Sequence, residues 1–275
     1  MNMSFVKGAA VGAIIMLVIS AITAYAIWPR EVEKKTDLEL IKERGVIRVG
    51  TDAAYPPYIW IDPETGKIVG YEAELVQIIA ERLGVEVEWH VMEWAAVISA
   101  LKERKIDLIC GGMGYRIDRE REVGLTRFHY DEYSVIVVRN DSNIVIEKLE
   151  DLAQYTVGVQ TGTTQEKVIR DRLINKGLMS ENQLVTYPSF DLPITDCVAG
   201  RIDAVFIGEP TAIAYMKEYP IKIVYRIKIV PGKVLAVRKE AIYLLTEINC
   251  IIMELKESGK LKELWIKYGL AMPEE

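Results

Sequence analysis

The chain has 275 residues, enough for one large domain or two modest ones with real cores. Its 40 acidic residues outnumber 34 cationic ones, for a net charge of −6, and the two signs are interleaved; this excludes nucleic acid as a partner, which needs clustered lysine and arginine. Two histidines and three scattered cysteines offer no metal-ligand spacing, so no metal and no other cofactor is expected.

The first residues are a different material from the rest. After Lys7, the run Ala9 to Trp28 is 20 residues without a charge, long enough to cross a hydrocarbon core as a helix. Residues 1–30 therefore read either as an uncleaved transmembrane anchor or as a signal peptide cut after Ala24-Tyr25-Ala26, which has the small-x-small form. No cysteine stands there to carry a lipid. Both readings place the remainder on the outer face of the membrane, periplasmic or extracellular, and residues 31–37 form a charged linker.

Leu38–Arg44 predicts a short helix and Val46–Thr51 a first strand, with Asp52 just past its end. Tyr55-Pro56-Pro57-Tyr58 must be an extended loop, because each proline biases its predecessor away from the helical region. Asp62 to Lys67 reads as a hairpin turn between the apolar flanks Tyr58–Ile61 and Ile68–Val69. From Glu72 to Leu83, the residues Leu75, Val76, Ile78, Ile79 and Leu83 share one helical face, and Gly84 stops the helix. Val85–Val91 alternates as a strand, and Trp94–Lys102 is helical. The second half repeats this order: a short helix from Leu149 to Leu152, a strand Thr156–Gln160, and a helix opening at Thr161-Gly162-Thr163-Thr164 and running to about Asn175. A strand Leu184–Tyr187, a helix Asp191–Ala199 and a strand Ala204–Ile207 follow. A helix entered at Pro210, an irregular strand Ile221–Val230, a strand Lys233–Arg238 and a mostly helical stretch Ala241–Tyr268 complete the chain. Strands alternating with helices predict an α/β fold with parallel sheets. Cys110, Cys197 and Cys250 all fall inside apolar patterns and read as small buried hydrophobes.

One segment occurs twice. Lys105-Ile-Asp-Leu-Ile-Cys-Gly-Gly112 returns 96 positions later as Arg201-Ile-Asp-Ala-Val-Phe-Ile-Gly208. Each copy is a cation, Ile-Asp, a short apolar run and a glycine, preceded by a helical pattern: a buried parallel strand that ends where the backbone must approach something closely. Ligands of open α/β sheets bind beyond the carboxyl ends of strands, so two such ends facing each other predict two lobes around a cleft. Two crossings, near His129–Tyr133 and near Ile229–Lys233, would link the lobes.

The ordered set Gly50-Thr51-Asp52-Ala53-Ala54-Tyr55-Pro56-Pro57-Tyr58, Gly70-Tyr71-Glu72-Ala73-Glu74-Leu75, Gly111-Gly112-Met113 with Arg119, and Gly158-Val159-Gln160-Thr161-Gly162-Thr163-Thr164 resembles the extracellular solute-binding proteins of polar amino-acid ABC importers. The resemblance covers roughly residues 38 to 270. It implies the two-lobed periplasmic-binding-protein type 2 fold with a two-strand hinge, lobe 1 over 38–130 and 233–275, and lobe 2 over 134–230. It also implies a site. Arg119 would clamp a ligand carboxylate through its planar fork, with backbone groups at Gly112 and Thr164 beside it. Asp52 would accept from the ligand's amino group or side chain, Tyr55 and Trp94 would flank it, and Gln160 takes a position that relatives fill with Lys or Gln. Two positions depart from the pattern: Gly114 stands where a Ser or Thr hydroxyl is usual, and Gly208 where a lobe-2 aspartate is usual, with Glu209 next in line as a substitute.

The chain contains no Gly-x-x-x-x-Gly-Lys-[Ser/Thr] loop, so ATP hydrolysis would belong to the partners the resemblance implies, an ABC permease and its ATPase. Two other readings remain: a secreted enzyme similar to cyclohexadienyl dehydratases, with Glu209 as general acid, or a sensory ectodomain.

Overall fold

The computed structural model describes residues 34–270, together with Met16 and Ser20. The anchor or signal segment expected over residues 1–30 otherwise lies outside the described residues, among which no helix is long and apolar enough to cross a membrane. The chain divides into a unit of Met1–Lys35 and a unit of Thr36–Glu275, and every sheet belongs to the second.

Thr36 opens that unit as the cap of helix α1 (Asp37–Arg44), bonding reciprocally with Glu39, and Gly45 closes it at φ 73°. Strands β1 (Val46–Thr51), β2 (Ala54–Tyr55), β3 (Ile59–Ile61) and β4 (Ile68–Val69) follow, the last three forming a small antiparallel sheet around the expected hairpin. Helix α2 (Tyr71–Leu83) buries Leu75, Val76, Ile79 and Leu83, and β5 (Glu86–Val91) pairs parallel to β1. Next come helix α3 (Val97–Lys102), β6 (Leu108–Ile109), α4 (Ile117–Glu122) and β7 (Val123–Leu125). The second half supplies β8 (Ser134–Arg139), β9 (Val157–Gln160), α5 (Thr164–Ile169), β10 (Leu184–Tyr187), α6 (Asp191–Val198), β11 (Ala204–Gly208), α7 (Glu209–Tyr215) and β12 (Ile221–Ile227). Strand β13 (Ala236–Arg238) and helices α8 (Ile242–Glu257) and α9 (Lys260–Lys267) end the chain.

Two five-stranded sheets result, ordered β5-β1-β6-β13-β7 and β10-β9-β11-β8-β12. The repeated segment supplies the third strand of each, β6 and β11, parallel to the strand before it in this order and antiparallel to the one after. The structure extends the repeat to the neighbouring strand. A Cβ built on Gly50 would lie 2.3 Å from Ile106 Cδ1, and one on Gly158 would lie 2.5 Å from Ile202 Cδ1, so each lobe packs its repeated isoleucine into a glycine gap. The repeated aspartates do equivalent work: Asp107 Oδ2 accepts the Arg48 N–H at 3.0 Å, and Asp203 Oδ2 accepts the Thr156 N–H at 2.7 Å.

The two copies nonetheless differ in environment. Asp203 is exposed, whereas Asp107 is buried and pairs with Arg48 at 3.0 Å, Arg238 at 3.1 Å and Arg44. Burial pushes the Asp107 carboxyl up, but the hydrogen bonds and charge of Arg48 together with the hydrogen bond of Arg238 outweigh it and hold the group below the usual carboxylate range.

The structure corrects several expected elements. Trp94–Ala96 is a tight 3-10 turn before α3, and the helix from Thr164 passes after Ile169 into one wide π turn, Arg170–Ile174. The C-terminal helix is two, broken at Gly259, whose φ of 78° an α-helix does not accommodate. Cys110 and Cys197 are buried, but Cys250 is exposed: α8 buries Leu244, Ile248, Ile251, Ile252 and Leu255, a stripe that leaves position 250 outside.

The asymmetry of the repeat is measurable. Asp107→Ala would take a carboxylate from the buried Arg238 guanidinium and from the more exposed Arg44 and Arg48, and lower unfolding stability by about 3 kcal/mol. Asp203→Ala removes one exposed backbone hydrogen bond and would cost about 1 kcal/mol, both read by urea denaturation.

Candidate ligand-binding site

The strand ends of both sheets open on one narrow cavity of about 20 Å³, room for about one water molecule. Seven residues singled out in the sequence line it: Tyr55, Trp94, Gly112, Gly114, Arg119, Gln160 and Thr164.

Arg119 lies in α4 and is only 3% exposed. Its Nη1 donates to the Gly114 carbonyl at 2.9 Å, and its Nη2 crosses the cleft to the Gly162 carbonyl, also at 2.9 Å. The guanidinium stands 5.8 Å from the centre of the Trp94 ring, and its buried Nε has no hydrogen-bond partner. Burial, and then the nearby charge of Arg116, pull the group down to about 9, so it still carries its proton at neutral pH. A desolvated cation with an idle donor is a site for an anion. Thr164 contributes the first turn of α5, where backbone N–H groups have no partner within the helix.

Close approach explains the glycines that follow β6. At φ 67°, Gly112 passes under Tyr55, whose ring carbon Cε1 would meet a Cβ there at 2.6 Å. Gly114 faces Val230 and Thr164, at 3.0 and 3.2 Å from a built Cβ, so a bulkier hydroxyl residue would have to displace them. Tyr55 stacks on Tyr58 with ring centres 5.4 Å apart and reaches Phe190 of the other lobe at the same distance.

Three other expected residues do not line the cavity. Asp52 stands behind Gln160, whose Nε2 donates to Asp52 Oδ2 at 2.7 Å and to the Pro188 carbonyl at 2.9 Å; the other oxygen, Oδ1, is buried without a partner. As Gly50-x-Asp52 and Gly158-x-Gln160 occupy corresponding positions of the two lobes, this bond joins the repeat to itself across the cleft. Gly208 lies beneath Tyr55: a Cβ there would stand 2.2 Å from the Tyr55 hydroxyl. Glu209 pairs with Arg226 at 2.9 Å, away from the cavity.

Sequence reasoning missed the pair Glu132 and Lys233, each under 5% exposed and each on the cavity wall. Lys233 Nζ pairs with Glu132 and donates to the Gly112 carbonyl at 2.8 Å, while the Tyr58 hydroxyl donates to Glu132 Oε2 at 2.6 Å. Both residues sit in the two crossings, where the chain also pairs through Lys233 N–H to Tyr130 and His129 N–H to Lys233. The signal was present: an acid and a cation each stand just before a largely apolar strand run, in segments expected to link the lobes.

Behind the diglycine, buried Glu72 accepts the Gly111 and Gly112 N–H groups at 2.6 and 2.9 Å, fixing the loop under the cavity. Burial pushes its carboxyl up. His129, 3.4 Å from its second oxygen, is driven down to about 3 by burial and by Lys233, and is therefore neutral.

A family model of bacterial extracellular solute-binding proteins, family 3, matches residues 47–271. The chain belongs to that family. Among family members it is similar to the arginine-binding extracellular protein ArtP of Bacillus subtilis (strain 168), 30% identical, with 80% of this chain and 84% of that protein covered. A solved ancestral arginine-binding protein bound to arginine shares its fold at TM-score 0.75, 33% identical, over 82% of this chain and 98% of that one. So does an ancestral amino acid-binding protein described as a precursor of cyclohexadienyl dehydratase, at TM-score 0.74 and 29% identity, over 85% and 99%. The fold of this family 3 chain is thus the two-lobed periplasmic-binding-protein α/β fold.

The buried Glu72 carries a sign. Because its carboxyl titrates above the ordinary 4.5 of glutamate, folding favours its protonated form, and that contribution is lost as pH rises through the raised value. Glu72→Gln, which mimics the protonated group, should be more stable than the native chain at pH 8, with the gain vanishing as pH falls towards 4.5 in urea titrations at each pH.

Proposed function

We propose that this family 3 protein binds an amino acid or a similar small polar solute between its lobes and delivers it to an ABC transporter permease driven by a separate ATPase. The observation that carries this reading is Arg119, buried in the cleft with one donor idle and its other two groups bonded to both lobes. A ligand shifts the balance between open and closed lobes only if it touches both, and a carboxylate on Arg119 beside Thr164 does so. The lobes are residues 38–130 with 233–275, and residues 134–230; the course of the two sheets supports this division. The similar proteins named above bind arginine or are described as amino acid-binding, which supports the solute class.

We place the binding unit outside the membrane, with the apolar N-terminal run as its anchor or its export signal. We read the chain as a binding protein without catalysis. Glu209, the acid considered for a dehydratase, is engaged by Arg226 and stands off the cavity wall. Turnover of prephenate or arogenate by the purified chain would overturn this.

The expected outcome of thermal-shift screening of the full chain against amino acids and their carboxylate analogues is a raised Tm with at least one of them. Arg119→Ala should weaken that ligand by more than about tenfold, roughly 1.4 kcal/mol, in isothermal titration calorimetry. Binding retained within that margin would remove Arg119 from the carboxylate's place.

A further inference from the structure

This inference rests on the solute-binding reading and narrows its ligand. Among the described residues three charged side chains line the cavity: the cations Arg119 and Lys233, and one carboxylate, Glu132. The wall therefore carries one net positive charge. A zwitterionic amino acid is neutral, and it brings an ammonium that must find a carboxylate, carbonyl oxygens or aromatic faces.

In this cavity an ammonium of the protein has taken those partners. Lys233 Nζ pairs with Glu132, donates to the Gly112 carbonyl at 2.8 Å, and stands 5.5 and 5.4 Å from the ring centres of Tyr55 and Tyr58. Glu132 is committed further, accepting from the Tyr58 hydroxyl. Among the described residues no other acid reaches the wall: Asp52 lies behind Gln160, Glu209 is held by Arg226, and Glu72 faces the Gly111 and Gly112 N–H groups. Nor can position 208 supply one, because a Cβ there would collide with the Tyr55 hydroxyl at 2.2 Å and press both Glu132 oxygens at 3.0 Å.

We infer that the cavity selects a small carboxylate without an α-amino group, of the 2-oxo acid class, because the Lys233 ammonium fills the place a ligand's ammonium would need. The ligand's carboxylate takes the idle Arg119 Nε, and the third N–H of Lys233 is left for the ligand's 2-oxo oxygen. A second ammonium in the same place would face Lys233 at close range in a desolvated pocket, which like-charge repulsion opposes. Lys233 and Glu132 are thus specificity-determining residues of the site.

The test is calorimetry on the full chain with matched pairs: alanine and pyruvate, leucine and 4-methyl-2-oxopentanoate, glutamate and 2-oxoglutarate, arginine and 5-guanidino-2-oxopentanoate. In the pair that binds, the oxo acid is expected to bind at least about tenfold more tightly than the amino acid. Lys233→Met, which leaves Glu132 for an incoming ammonium, is expected to invert that preference. Where that single change unfolds the chain, the neutral pair Glu132→Gln with Lys233→Met is expected to abolish the preference, with Tm reporting the fold. Tighter binding of the amino acid by the native chain overturns the inference, as does an unchanged ratio in a folded variant. Binding of neither member of any pair, together with no rise in Tm for any amino acid or carboxylate analogue in the thermal-shift screen, overturns the solute-binding reading itself, and the inference with it.

Discussion

The cleft is organised around one buried ammonium. Lys233 is 3% exposed, and a lysine cannot stay charged at such depth unless partners replace its water. Glu132, the Gly112 carbonyl and the faces of Tyr55 and Tyr58 replace it. Each of those partners is then held by something else. Gly112 hangs by its N–H from Glu72, Tyr58 donates to Glu132, and Tyr55 stacks against Tyr58 and Phe190. The backbone of Lys233 meanwhile pairs with Tyr130 and His129, so one residue ties the crossings of the chain to the wall of the cavity.

Across the cleft the lobes meet through polar groups whose bonding is incomplete. Arg119 reaches the Gly162 carbonyl and Gln160 reaches Asp52, yet Arg119 Nε and Asp52 Oδ1 are buried without partners. Closing on such groups costs free energy, and a ligand offsets the part due to Arg119 by bonding to its Nε. A binding protein needs that arrangement, since lobes that satisfied each other fully would leave a ligand nothing to add. The electrostatic balance of the wall then decides which ligand: two cations against one acid favour an anion over a zwitterion.

The repeat shows how one structural unit acquires two roles. Both copies pack an isoleucine into a glycine gap and both use aspartate to hold the neighbouring strand. Only the first is built into a cluster of arginines, and only its glycines carry the diglycine loop under the ligand cavity. The second ends at Gly208, where the absence of a side chain leaves room for the Tyr55 hydroxyl.

Much of this was legible in the sequence. The alternation of strands and helices and the repeated Ile-Asp strand follow from local pattern, because period and spacing are properties of the chain itself, whereas Arg119, Tyr55, Trp94 and Thr164 were implied as site residues only by the resemblance of ordered motifs to a family. The Glu132–Lys233 pair was not legible as a pair, since the two residues are 101 positions apart and meet only because the two crossings lie side by side. The same holds for Glu209, which neighbours Gly208 in sequence but turns to Arg226 on β12. Sequence determined which residues could carry charge and where strands would end. Only the tertiary structure decided which charges were neutralised within the protein and which remained for a ligand, because desolvation and pairing depend on neighbours that the chain brings together by folding.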